Sequence, residues 1–225
     1  MKTALRLSPI HSELQSLDGR WQEMNGMPAL IATPRDQDNA THLGITDLSF
    51  LTRFGVKGAG AADWLFSQGI PVGDRPNSWR PLSGGGMVAR LGISEFLIED
   101  SLHSSFAPHL AAACQTPPTK VYPVLRQDLA IGLCGNLLDD LLRQTCSVNF
   151  RALTLGDRPV VLTSMVGVSV TIIPGECSGL PCYRLWCDGT LGRYLWRTLL
   201  AIAVELGGGA IGAERFLELV QSGCE

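Results

Sequence analysis

Glu176 is the acid whose setting in this sequence best suits ligand chemistry. It stands in Pro174-Gly175-Glu176-Cys177, in a stretch that only the second copy of a duplicated chain carries. A carboxylate accepts two hydrogen bonds side by side, and charge-assisted bonds are the stronger kind. The plain alternative is a solvated loop residue, the usual fate of a glutamate. The four histidines, His11, His42, His103 and His109, offer less. His103 and His109 do not share a helix face, and no spacing builds a nucleophile, a base and an orienting acid. Glu99 and Asp100 are adjacent at the end of a predicted strand, where alternation sends the two side chains opposite ways. They read as solvated acids rather than as a catalytic pair.

Seven cysteines are present: Cys114, Cys134, Cys146, Cys177, Cys182, Cys187 and Cys224. The count is odd and no two have the spacing of a zinc or redox motif. Cys177, Cys182 and Cys187 recur every five residues, but a four-coordinate zinc site needs another ligand nearby. They read as reduced, mostly buried thiols. Gly207-Gly208-Gly209-Ala210-Ile211-Gly212 matches G-x-G-x-x-G. A dinucleotide site needs a strand before the glycines. Here a helix precedes them, so the glycines read as a helix stop. Gly84-Gly85-Gly86 reads as a flexible turn.

Composition narrows the partners. Apolar residues make up 45% and charged residues 17% of 225, with a formal charge of −3. A surface lean in charge points toward a partner chain. The absence of a basic run argues against nucleic acid. No stretch approaches 18 uninterrupted apolar residues, so no membrane span is expected. The opening residues, Met1 to Arg6, have no apolar run of the secretory kind, which makes the cytoplasm the default location.

The elements that must hold Glu176 come from the duplication. Phe54-Gly55-Val56-Lys57-Gly58, then Asp63-Trp64-Leu65, recurs as Ile131-Gly132-Leu133-Cys134-Gly135, then Asp140-Leu141-Leu142, at an offset of 77. Leu97-Ile98-Glu99-Asp100 and Phe106 recur as Leu185-Trp186-Cys187-Asp188 and Tyr194 at an offset of 88. An extra loop near Pro174 to Pro181 would account for the growth. Each copy reads as β-α-β-β-α. In the first, strands are predicted over 50–56, 87–91 and 95–99 and helices over 61–68 and 105–114. In the second, strands fall over 129–133, 160–163, 166–173 and 183–187 and helices over 137–145 and 191–206. Residues 1–40 form an N-terminal lead-in, with a short helix opening at Ser8 and a loop over 33–39. Residues 41–118 are the first repeat and 119–225 the second, integrated in one domain. The fold class is α+β, two duplicated ferredoxin-like units.

A family resemblance rests on several of these motifs. Ser8-Pro9-Ile10-His11-Ser12-Glu13-Leu14, Gly44-Ile45-Thr46-Asp47-Leu48-Ser49 and the segment from Phe54 to Leu65 resemble glycine-cleavage T-proteins, the folate-dependent aminomethyltransferases. Leu91-Gly92-Ile93-Ser94-Glu95-Phe96-Leu97, Leu142-Arg143-Gln144-Thr145-Cys146 with Asn149-Phe150, Pro174-Gly175-Glu176, and Tyr183-Arg184-Leu185 with Tyr194-Leu195-Trp196 resemble the gamma subunit of heterotetrameric sarcosine oxidase. The resemblance implies a folate-binding, T-protein-like fold without the C-terminal barrel. It implies that Gly175 and Glu176 face the pterin of tetrahydrofolate. It also implies that flavin belongs to other chains, so this one binds neither flavin nor metal alone.

The departures matter as much. The resemblance places a catalytic Asp after the 95–99 strand, and the stretch from Asp100 to Pro108 has no acid at the expected distance. Positioned acid-base groups contribute about a hundredfold or more to such chemistry. No catalytic residue is therefore assigned. The expectation is a non-catalytic accessory subunit or folate-binding protein of a sarcosine oxidase-like amine-oxidising complex, partnered by flavoprotein subunits or by itself. The alternative is a stand-alone folate-dependent aminomethyltransferase-like enzyme of one-carbon metabolism. An iron–sulfur-maintenance protein of the same fold would carry a Lys-Gly-Cys-Tyr-type motif, which this sequence lacks.

Overall fold

Asn25-Gly26 opens the architecture with a hairpin. The two residues sit at φ +49° and +73°, and they join β1 (Arg20–Met24) to β2 (Met27–Ala32). Two positive φ values in succession make the turn whose twist matches its strands, and Asn-Gly is the pair that adopts it most easily. The computed structural model describes residues 6–222; Met1 to Leu5 and Cys224 lie outside the described residues. Before the hairpin comes α1 (His11–Leu14), where the Ser8 hydroxyl accepts the Ile10 N–H at 3.3 Å. After it, the predicted loop over 33–39 is in part a helix, α2 (Asp36–His42). The Asp36 carboxylate accepts from the Thr33 amide at 3.0 Å and hydroxyl at 2.7 Å, closing the turn that starts it.

The chain continues through β3 (Gly44–Asp47), β4 (Arg53–Lys57), α3 (Ala61–Ser67), β5 (Ser78–Pro81), β6 (Met87–Arg90), β7 (Glu95–Glu99), α4 (Phe106–Ala113) and β8 (Tyr122–Val124). Then follow β9 (Leu129–Cys134), α5 (Leu138–Thr145), β10 (Val161–Met165), β11 (Val168–Ile173), β12 (Glu176–Cys177), β13 (Leu180–Cys187), α6 (Gly192–Glu205), β14 (Gly209–Ala210) and α7 (Ala213–Ser222). The chain forms two compact units. One gathers the residues up to Phe50, 128–153 and those from Thr163 on; the other gathers 51–127 and 154–162.

In the second unit the sheet order is β5-β6-β7-β4-β8, antiparallel throughout. Phe54, Val56, Val88, Phe96 and Ile98 cluster with Ala61, Trp64 and Leu65 of α3 and Ala107 and Leu110 of α4. Each large apolar side chain so buried stabilises by about 1.5–3 kcal/mol.

In the first unit the order is β10-β11-β13-β9-β3-β14, with β12 attached to β13. A Cβ at Gly132 would meet Phe216 of α7 at 2.9 Å, and one at Gly192 of α6 would meet Leu129 at 3.0 Å. Side chains alternate along a strand, so α7 lies on one face of β9 and the start of α6 on the other. The glycines after α6 stop it: Gly207 has φ +83°. Then Gly209 and Ala210 pair in parallel with Gly44 and Ile45.

The two repeats share one pairing scheme, and its register corrects the alignment of the copies. Phe54 faces Ile98 as Ile131 faces Leu185. Ile98 therefore corresponds to Leu185, an offset of 87 rather than 88. Leu97 instead faces Gly55, on the opposite side of its sheet from the α3–α4 cluster. A slip of one residue exchanges the two faces of a strand. The offset is already 84 at Val88 and Ile172, which face Ile98 and Leu185. Most of the added residues therefore precede β11, in the segment with short 3-10 turns at Phe150–Ala152 and Leu155–Asp157. The loop near Glu176 adds the rest. Val166, expected in a strand, has φ +44° and forms with Gly167 the turn between β10 and β11.

Candidate functional site

Glu176 is the first residue of β12, facing Pro181 of β13 across a tight hairpin. Ser178 and Gly179 make the turn at φ +53° and +78°. The Glu176 side chain is exposed and Gly175 is half-buried. The Gly175 carbonyl accepts the Cys182 amide at 3.0 Å. A Cβ at Gly175 would come within 3.0 Å of the Cys182 carbonyl, so glycine permits this close approach. The two residues named from the sequence thus sit together at the base of one hairpin, with the carboxylate open to solvent.

The hairpin brings thiols together. Cys177 and Cys182 hydrogen-bond to each other through their side chains, and Cys134 lies directly opposite Cys182 on β9. Burial pushes the Cys134 thiol up to about 12. Cys187, third in the five-residue series, is at the far end of β13 opposite Leu129 and does not join them. Tyr183 is also pushed up to about 12, by burial first and then by Asp139. Among the described residues no group of His, Cys, Asp and Glu is arranged to hold a metal ion.

Glu99 and Asp100 are not solvated, contrary to expectation. Glu99 pairs with Arg53 at 3.2 Å, with both side chains at most 3% exposed. Asp100 is fully buried. Its carboxylate accepts from the Thr52 hydroxyl at 3.0 Å, the Ser104 hydroxyl at 2.8 Å and the Phe106 and Ala107 amides at 2.8 and 2.9 Å. Those amides are the first of α4, whose N–H groups have no partner within the helix. The alternation expected of the pair does hold: one acid closes an ion pair and the next one closes a helix start. Of the histidines, His11 packs edge-on against Trp21 at 5.6 Å and the His42 ring bonds the Asp38 carbonyl at 2.9 Å.

A separate cleft of about 330 Å³ lies in the other unit, against β5 and the 156–158 turn. Arg75 and Asp157 pair across it at 3.4 Å, and the Arg158 guanidinium stands 5.7 Å from the Trp79 ring centre. No sequence signal marked it, since its residues come from segments about 80 apart that carry no motif.

A scan of known families finds no matching model, and no curated protein matches. Solved structures do. The glycine cleavage system aminomethyltransferase T from Bartonella henselae superposes with a TM-score of 0.76 over 96% of this chain, at 14% identity. The chain has a T-protein-like fold. A chain of the heterotetrameric sarcosine oxidase from Corynebacterium sp. U-96, in complex with pyrrole 2-carboxylate, superposes with a TM-score of 0.63 over 92% of this chain, at 16% identity. The T-protein-like chain spans 62% of the aminomethyltransferase and 99% of the sarcosine oxidase chain. Among the described residues the sheets are open and no helix is long and apolar enough to cross a membrane.

Proposed function

We propose that this chain is a non-catalytic accessory subunit or folate-binding protein of a sarcosine oxidase-like amine-oxidising complex. One observation carries the reading: its fold accounts for 99% of a chain taken from a heterotetrameric sarcosine oxidase. The state of the acids supports it. Asp100 spends its carboxylate on α4 and Glu99 on Arg53, so neither is held ready to move a proton. The partners are flavoprotein subunits or a second copy of this chain, in the cytoplasm, and the chain alone binds neither flavin nor metal. Tetrahydrofolate is the ligand, with Glu176 and Gly175 at its pterin end.

The second reading is a stand-alone aminomethyltransferase-like enzyme, favoured by the higher TM-score of 0.76 to that transferase. Purification from the native host separates the two. Recovery of flavin-containing chains at fixed stoichiometry is the expected result. A chain that purifies alone and transfers a one-carbon unit to tetrahydrofolate overturns the first reading in favour of the second.

A further inference from the structure

We propose that Cys177 and Cys182 are an oxidation site, a dithiol that closes to an intramolecular disulfide when the protein meets a hydroperoxide. The hairpin brings the two sulfurs together. Cys177 faces Leu180, and Leu180 and Cys182 are two apart on β13, so all three side chains share one face. Cys177 and Cys182 are diagonal neighbours across the hairpin, and their side chains interact.

The pair is chemically unequal. The bond from Cys182 holds the Cys177 thiol below its ordinary value, with the positive charge of Arg184 helping against burial. The same bond and burial push Cys182 up. Cys177 is thus the readier of the two to ionise, and the thiolate is the reactive form. Cys182 keeps its proton. Cys134 has neither advantage: it is wholly buried and pushed up to about 12.

Access comes from a weak hairpin. The hairpin's first strand is only two residues long, Glu176–Cys177. The turn at Ser178 and Gly179 is exposed. Short elements with few backbone bonds open at low cost.

The steps balance. The Cys177 thiolate attacks the outer oxygen of the hydroperoxide, the O–O bond breaks, and the alkoxide or hydroxide leaves and takes a proton. The Cys182 sulfur then attacks the Cys177 sulfenic acid. The S–S bond forms, the S–O bond breaks, and hydroxide leaves as water with the Cys182 proton. Two thiols are oxidised and one hydroperoxide is reduced to an alcohol, or to water, plus water. None of this depends on whether folate binds.

The test uses the full chain, reduced, then treated with hydrogen peroxide, alkylated and digested with trypsin. Cys177 and Cys182 fall on the same tryptic peptide, which runs from Ala152 to Arg184. The expected product is that peptide unalkylated and two hydrogens lighter, restored by dithiothreitol. In Cys182→Ser, dimedone should capture a sulfenic acid at Cys177. Both cysteines remaining alkylatable would overturn the proposal. A cross-link from Cys182 to Cys134 would do the same, as would Cys182→Ser that folds and yields no sulfenic acid. If Cys182→Ser does not fold, the peptide map of the unaltered chain decides alone.

Discussion

Gly58 and Gly135 share a backbone angle, φ +121°, although they lie 77 residues apart. Each follows the second strand of its repeat, β4 or β9, and each is pressed against another backbone. A Cβ at Gly58 would come within 2.1 Å of the Lys120 carbonyl oxygen, and one at Gly135 within 2.4 Å of that of His42. The bonds around them match as well. Gly58 donates to Ser94 as Gly135 donates to Pro181, and Gly60 donates to Lys120 as Leu137 donates to His42. Each repeat's leading strand joins the other repeat's sheet, β3 pairing with β9 and β8 with β4.

This equivalence predicts equal penalties. Alanine at either position combines a forbidden angle with a backbone collision, and strained backbone alone costs about 1–3 kcal/mol. Gly58→Ala and Gly135→Ala should each lower the unfolding free energy measured in urea by at least that amount. Gly92→Ala, with open space around its Cβ and no positive φ, serves as the control. A Gly58→Ala protein as stable as the control would contradict the geometry.

Glu99 and Asp100 supply a second test. Removing one partner of a buried ion pair costs about 3–5 kcal/mol, because the other charge is left buried. Glu99→Gln should fall in that range through Arg53. Asp100→Ala strands the first amides of α4, and each unmet buried group costs about 1–3 kcal/mol. If the acids were solvated, both changes would stay within about 0.5 kcal/mol in chemical denaturation.

The repeat was legible because its signals are local. The 77-residue offset, the Gly92-Ile93-Ser94 turn and the stop at Gly207 all survive into the fold. The ladder register was not legible, since Leu97 and Leu185 match as residue types while facing different sides of their sheets. Nor was the exchange of β3 and β8, whose partners are distant in sequence. The Asn25-Gly26 hairpin, by contrast, rests on a local turn pair written in the sequence itself. Asp100 looked solvated because its partners, Thr52 and the start of α4, come together only in the folded sheet. At the candidate site, the adjacency of Gly175 and Glu176 is a sequence fact. The meeting of Cys177 with Cys182 needed the hairpin turn at Ser178 and Gly179.

The Glu13 cluster sets a pH dependence. Arg197 donates to Glu13 at 2.8 and 2.9 Å and Arg193 at 3.0 Å. Arg197 first, and then Arg193, hold the carboxyl below its ordinary 4.5, against the opposing effect of burial. A carboxyl depressed on folding stabilises the fold above its unfolded value, and that contribution is lost as pH falls through the folded value. The thermal midpoint should therefore drop as pH falls below about 4.5. In Glu13→Gln the midpoint should start lower at neutral pH and show a smaller share of that drop. Parallel curves for the two proteins would assign the acid loss to other groups.

Glu176 carries the ligand prediction. Its carboxylate is exposed at the head of β12 and free to turn toward a ring that presents N–H donors. If tetrahydrofolate binds there, Glu176→Ala leaves those donors unmet, at about 1–3 kcal/mol, which is roughly five- to a hundredfold in affinity. Glu176→Gln keeps one acceptor but loses the charge, so its loss should be smaller than that of alanine. Titration of tetrahydrofolate followed by tryptophan fluorescence reads both. The side chain is exposed, so neither variant should change the unfolding free energy by more than about 0.5 kcal/mol, and a change in affinity then reports on contact rather than on folding. Unchanged affinity in Glu176→Ala removes this residue from the site. No binding by the unaltered chain removes the site itself and leaves a subunit whose role is to assemble.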